Sequence, residues 1–145
     1  MYEPHINYWA VLVSAILFFA LGAVWYSPVL FGKAWTKAMG YSEEDLKNLG
    51  QEFNAPKAFI MMFLSGLVMA YVTAHIIDFM GVVFTDLTPL QTAFTSVVWL
   101  WLGYIATYVI SQVAYEQKSW RYYFINTGYW LGGLLITALV VGLWR

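Results

Sequence analysis

AFIMMFLSGLVMAYVTAHIIDF, residues 58–79, contains no Lys, Arg or Pro, and its one carboxylate, Asp78, stands next to its end. As a helix this stretch rises about 33 Å, enough to cross a hydrocarbon layer of ~30 Å. A backbone inside that layer must satisfy its own hydrogen bonds, so the run is read as a membrane helix. Three runs of the same kind accompany it, over 7–26, 90–113 and 123–144. The expected fold class is therefore an all-α membrane protein, a four-transmembrane-helix bundle forming one domain over 1–145.

Composition fits this reading. Charged residues make up 10% of the chain, against about 25% in an average soluble domain. With no Cys, disulfides, thiolate metal sites and thiol catalysis are excluded. The first run is too long for a signal-peptide core, and neither a basic segment before it nor a small-x-small site after it marks it for cleavage. It is expected to be retained as a span.

The positive charge is unevenly placed. Lys33, Lys37, Lys47 and Lys57 lie between the first two runs, Lys118 and Arg121 between the last two, and only Arg145 on the opposite side. By the positive-inside rule both basic loops face the cytoplasm and both termini lie outside, in the cytoplasmic (inner) membrane. Trp25, Tyr26, Trp35, Tyr115, Trp120 and Tyr122 fit the inner interfacial belt, and Tyr2, Tyr8, Trp9 and Trp144 the outer one.

The loop 27–57 carries start and stop signals of its own. Ser27-Pro28 reads as a cap and first helical position, opening a short helix that runs to Met39 and stops at Gly40. Phe31, Ala34, Trp35 and Ala38 fall on one side and Lys33 and Lys37 on another, the pattern of an amphipathic interfacial helix facing anionic lipid. Ser42-Glu43-Glu44-Asp45 is a capping-box start for a second such helix, with Leu46, Leu49 and Phe53 as its apolar stripe. Asn54-Ala55-Pro56 and Thr88-Pro89-Leu90-Gln91 open the second and third spans.

Two stretches carry a resemblance. Gly22-Ala23-Val24-Trp25-Tyr26-Ser27-Pro28-Val29-Leu30-Phe31-Gly32-Lys33-Ala34-Trp35 resembles the signature of the domain-of-unknown-function family numbered 1761. Ile125-Asn126-Thr127-Gly128-Tyr129-Trp130, with Trp144 closing the last span, is similar to that family's C-terminal end. The resemblance covers essentially the whole chain. It implies a small multi-span membrane protein and brings no activity and no catalytic residue with it.

Small residues mark the expected helix contacts: Gly22 in the first span, Gly66 and Ala70 in the second, Gly103 in the third, Gly128 and Gly132 in the fourth. Asn7, Ser14, Phe18, Gly22 and Trp25 share one side of the first span, and Thr92, Ser96, Trp99, Gly103 and Thr107 one side of the third. Such stripes are expected to line the bundle interior; a solute path lined by the same hydroxyls is the sharper alternative. Opposite the third-span stripe stand Phe94, Trp101 and Tyr108. They are expected to point outward, against another copy, a partner helix, or a lipid or pigment-like ligand.

Ionisable groups gather near the outer boundary. His75 and Asp78 share a helical face, with Tyr71 one turn deeper. The expectation is a structural pair, Asp78 orienting His75, with a proton or ion relay as the alternative. His5, Glu3 and Asp86 lie near enough in sequence terms to raise a metal site, but HxxD is a weak pattern and no metal is expected. No HExxH, GxSxG, phosphate-binding glycine loop or intramembrane carboxylate pair is present, so no catalysis and no cofactor are expected. Sparse lysines interleaved with acids give no nucleic-acid surface. The favoured reading is a non-catalytic bundle that self-associates or serves as an accessory subunit in the lipid bilayer. The alternative is a small transporter or channel with His75, Asp78 and Tyr71 at its outer mouth.

Overall fold

A computed structural model describes residues 3–144, the side chain of Glu52 excepted. The helices are α1 (Tyr8–Trp25), α2 (Gly32–Met39), α3 (Glu43–Glu52), α4 (Ala55–Val83), α5 (Pro89–Leu100), α6 (Thr107–Tyr115) and α7 (Trp120–Leu143), and no strand occurs among the described residues. A π-helical turn, Trp101–Ala106, joins α5 to α6 without a break. Four helices are thus long and apolar enough to cross a membrane: Tyr8–Trp25, Ala55–Val83, Pro89–Tyr115 and Trp120–Leu143. The outer-belt residue Tyr2 and the terminal Arg145 lie outside the described residues.

Local chemistry fixes most of the starts. Asn7 Oδ1 accepts from the N–H groups of Trp9 and Ala10 at 3.0 and 3.2 Å, and Asn54 Oδ1 from that of Lys57 at 3.0 Å. Thr88 and Gln91 form a reciprocal capping box, as do Ser42 and Asp45. The Ser42 hydroxyl and backbone N–H hold the Asp45 carboxyl below its ordinary range. A folded pKa lowered in this way stabilises the start of α3 at neutral pH and is lost as pH falls through it. Gly40 closes α2 with φ +76°, a left-handed conformation open to glycine. The Ser119 cap sets α7 three residues ahead of the expected 123, because its Oγ accepts from the Tyr122 N–H at 3.2 Å.

Ser27 departs from expectation. It does not open α2; its hydroxyl donates to the Val24 carbonyl at 2.7 Å and so finishes α1. The chain then folds back, Phe31 N–H reaching Trp25 O at 3.0 Å and Gly32 N–H reaching Ser27 O at 2.9 Å. The turn is tight enough that a Cβ on Gly32 would collide with the Tyr26 carbonyl oxygen.

In the bundle, α4 and α7 pack against each other, and each also packs against α1 and α5. Phe18 of α1 is fully buried between two glycines, Gly66 of α4 and Gly133 of α7. A Cβ on Gly66 would come within 2.7 Å of its ring. Gly22 lies under Tyr129, Gly128 under Trp25 and Gly132 under Leu21, while Ala70 belongs to the buried core.

The π turn changes the reading of the third span. Ala93, Val97, Trp101, Ile105 and Val109 all face the core, spaced by four. On a regular α-helix each such step overshoots a full turn by about 40°, and the wider π turn takes up that drift. Trp101 therefore does not point outward: it packs on the core, and its indole N–H donates to the Thr127 carbonyl at 2.8 Å. Phe94 also packs on the core, which leaves only Tyr108, 64% exposed, on the face expected for all three. Gly103, expected in a contact, is exposed, and a Cβ there would meet nothing within 4 Å.

Two substitutions check this packing by thermal or denaturant unfolding in detergent. Phe18→Ala should destabilise the chain by about 3–5 kcal/mol, as for a fully buried aromatic. Gly66→Val should cost roughly 1–3 kcal/mol by overpacking against Phe18.

Candidate functional site

The two motif stretches meet at the end of the bundle that carries the basic loops. Trp25, at the last residue of α1, sends its indole N–H to the Ile125 carbonyl at 3.1 Å. Gly128 makes this approach possible, since a Cβ there would stand 3.2 Å from the Trp25 ring. Beside it the Tyr26 hydroxyl donates to Asn126 Oδ1 at 2.9 Å, and Asn126 Nδ2 donates to the Tyr122 carbonyl at 3.1 Å. The Tyr122 hydroxyl continues the chain to Gln112 Oε1 at 3.1 Å. Four helices are thus tied by one run of hydrogen bonds, because Lys118 Nζ also donates to the Met39 carbonyl at the end of α2 at 3.2 Å.

Aromatic rings fill the space around this run. Phe18 and Tyr26 contact Tyr129 at centroid distances of 4.9 and 5.2 Å, and Trp25 contacts Phe31 at 4.6 Å. Two crevices open on either side of α7. One, of about 410 Å³, is bounded by Phe19, Gly22, Tyr26, Phe59, Met62 and Tyr129. The other, of about 310 Å³, lies between the π turn and α6 on one side and Tyr122, Asn126 and Trp130 on the other.

The interior hydroxyls have their protons committed. Thr92, Ser96, Thr127 and Thr137 each donate to the carbonyl four residues back in their own helix. A hydroxyl bonded in this way has its proton unavailable to a passing solute, which weakens the solute-path reading. Ser14 differs: it is fully buried and its Oγ has no partner.

At the opposite end, His75 Nδ1 lies 2.9 Å from the Tyr71 carbonyl and its ring 4.3 Å from that of Tyr71. A carbonyl can only accept, so Nδ1 carries the proton and His75 is oriented by Tyr71 rather than by a proton-accepting partner at that nitrogen. Asp78 Oδ2 accepts from the His5 backbone N–H at 3.1 Å, and Asn7 Nδ2 donates to Trp144 O at 3.2 Å. The N-terminal segment is thereby strapped over the bundle end. The space enclosed by His5, Asn7, Ala74, Asp78, Val141 and Trp144 measures about 10 Å³, roughly one water-sized probe. Among the described residues no three His, Asp or Glu side chains converge as metal ligands.

The class of molecule is defined at this point: a small all-helical chain with four membrane-length helices, held by an aromatic and amide cluster at its basic end. Residues 9–142 match the model of a family described as protein of unknown function (DUF1761), and the chain belongs to that family. No curated protein and no solved structure matches it.

The cluster was only half visible in the sequence. Its two motifs were recognisable, but Gln112, Tyr122 and Lys118 carry no local signal that joins them to Tyr26. Asn126→Leu removes both the acceptor of Tyr26 and the donor to Tyr122. It should lower unfolding stability by about 1–3 kcal/mol, the cost of unpaired buried polar groups, measured by chemical unfolding in detergent.

Proposed function

We propose that the chain acts without catalysis, as an integral-membrane bundle that associates with further copies of itself. The carrying observation is the exposed face of the third span. Trp99 is 67% exposed, and Gly103 and Thr107, one and two turns on, are exposed as well. Gly103 lies next to the midpoint of the Pro89–Tyr115 helix. A small residue there permits close backbone approach by another helix, and Trp99 provides a large apolar contact beside it. Inside the chain these residues have nothing to pack on, so a second copy is the surface that would use them. Phe94 and Trp101, already engaged within the bundle, drop out of the proposed contact.

The orientation belongs to the same proposal. Lys33, Lys37, Lys47, Lys57, Lys118 and Arg121 sit in the loops at one end, while Asn7 and Trp144 meet at the other. The positive-inside rule then puts the basic end in the cytoplasm and both termini outside, in an inner membrane. The transport alternative has less support. The His75–Asp78 end encloses too little space for a solute, and His75 is tied to a backbone carbonyl.

Three measurements test these statements. Gly103→Leu should shift the detergent-solubilised mass toward monomer in native mass spectrometry while leaving unfolding stability near that of the parent. Trp101→Ala should do the reverse, costing on the order of 2 kcal/mol of stability through lost packing and a lost hydrogen bond, with the mass unchanged. A parent that is strictly monomeric in lipid nanodiscs overturns the proposal. For orientation, Asp86→Cys in this Cys-free chain should react with an impermeant maleimide in intact cells and Ser42→Cys should not. For transport, a proton or ion flux in vesicles that vanishes in both His75→Ala and Asp78→Asn would replace the association reading.

A further inference from the structure

We propose that the crevice between α6 and α7 holds one acyl chain of an anionic glycerophospholipid, its phosphate at the Gln112–Lys118 end. The crevice encloses about 310 Å³, within the range of small-ligand sites. Its two walls run antiparallel: Tyr122 bonds Gln112 at 3.1 Å, and both Tyr104 and Trp130, each eight residues further into the bundle, also line it. Each wall therefore extends about 12 Å from the basic end, close to the ~15 Å depth of one leaflet.

Chemistry changes along that depth. Ile105, Val109 and Trp130 make the inner part apolar, and Gln112, Tyr122 and Asn126 make the mouth polar. Gln112 Oε1 is taken by the Tyr122 hydroxyl, so the amide N–H groups of Gln112 remain as donors. Lys118 Nζ stands 5.9 Å from the centre of the Tyr122 ring and spends one donor on Met39 O. An ammonium has three donors, so two remain. Arg121 follows directly in sequence, and the loop's one acid, Glu116, leaves the mouth with an excess of positive charge. Donors and cations at the mouth suit a phosphate and its ester oxygens; the apolar interior suits a chain.

The π turn shapes this site. By turning Trp101 and Ile105 toward α7 it sets Ile105 as the floor and leaves Tyr104, 74% exposed, as a rim. A regular helix would carry the 93–97–101–105 stripe out of line. The site rests on placing these helices in a bilayer and not on self-association; its residues are a different stripe of the third span from Trp99, Gly103 and Thr107.

Photolabelling tests it. The full chain is reconstituted in vesicles of phosphatidylethanolamine and phosphatidylglycerol containing a trace of phosphatidylglycerol with a diazirine on one acyl chain. Adducts mapped by mass spectrometry should concentrate on 104–112 and 122–130. Gln112→Leu should reduce them about tenfold, the loss of a hydrogen bond to a charged group. Val109→Phe, which fills the floor, should reduce them similarly, and unchanged adducts on α4 report that each variant is folded. Adducts spread evenly over all exposed helices would overturn the site as ordinary lipid contact. Equal labelling by the matching phosphatidylethanolamine probe would overturn the phosphate assignment. Disulfide trapping of two copies through Tyr108→Cys would overturn it in favour of a protein occupant, and the same sample's oligomeric mass reports separately on association.

Discussion

The bundle depends on two indole N–H groups that grip α7 from opposite sides. Trp25 donates to Ile125 O and Trp101 to Thr127 O, at 3.1 and 2.8 Å. Two residues along a helix is about 200° of rotation, so the two tryptophans approach from nearly opposite directions. Each carbonyl also serves its own helix and uses its second lone pair for the indole. In hydrocarbon an indole N–H without an acceptor costs several kcal/mol, so neither ring can swing out to lipid without losing its only polar partner. This fixes α1 and the third span to α7 in one rotational setting each. The small residues then follow: Gly128 gives Trp25 its approach, and Gly66 and Gly133 receive Phe18.

What the sequence made legible was what depends on neighbouring residues. The apolar runs, the Thr88–Gln91 and Ser42–Asp45 boxes, the Asn54 cap and the Gly40 stop are each decided within a few positions. Ser27 was misread for a physical reason: a serine ahead of a proline suits a helix start, but Val24 O lies within reach behind it and is an equally good partner. Trp101 and Gly103 were misread because a helical wheel assumes 100° per residue throughout. One wider turn resets the phase of everything after it, and the wider turn is favoured by a tertiary partner, Thr127 O, that no local pattern displays.

The candidate site was legible only as fragments. The Gly22–Trp35 and Ile125–Trp130 stretches could be recognised as motifs, but their meaning is mutual: Tyr26 and Asn126 are partners across 100 positions. Gln112 and Lys118 join them only because α6 and α7 run antiparallel from one short loop. A polar side chain near a membrane boundary reads as interfacial solvation when taken alone. Asn126 reads differently once Tyr26 lies on one side of it and the crevice lined by Gln112 and Tyr122 on the other.

The π turn then gives the third span two separate outward stripes from one helix. Trp99, Gly103 and Thr107 follow a four-residue spacing and present a small, flat centre; Tyr104, Tyr108 and Gln112 follow the same spacing and present hydroxyls and an amide. A helix partner favours the first stripe, because close backbone approach needs small side chains. A lipid favours the second, because its polar head can meet donors at the mouth while its chain lies on Ile105 and Val109. Both uses require Trp101 to stay turned inward, since released from Thr127 O it would crowd the floor and carry Gly103 round with it. Association and lipid occupancy are therefore coupled through a single indole hydrogen bond, and Trp101→Phe, which keeps the ring but not the N–H, should weaken both together.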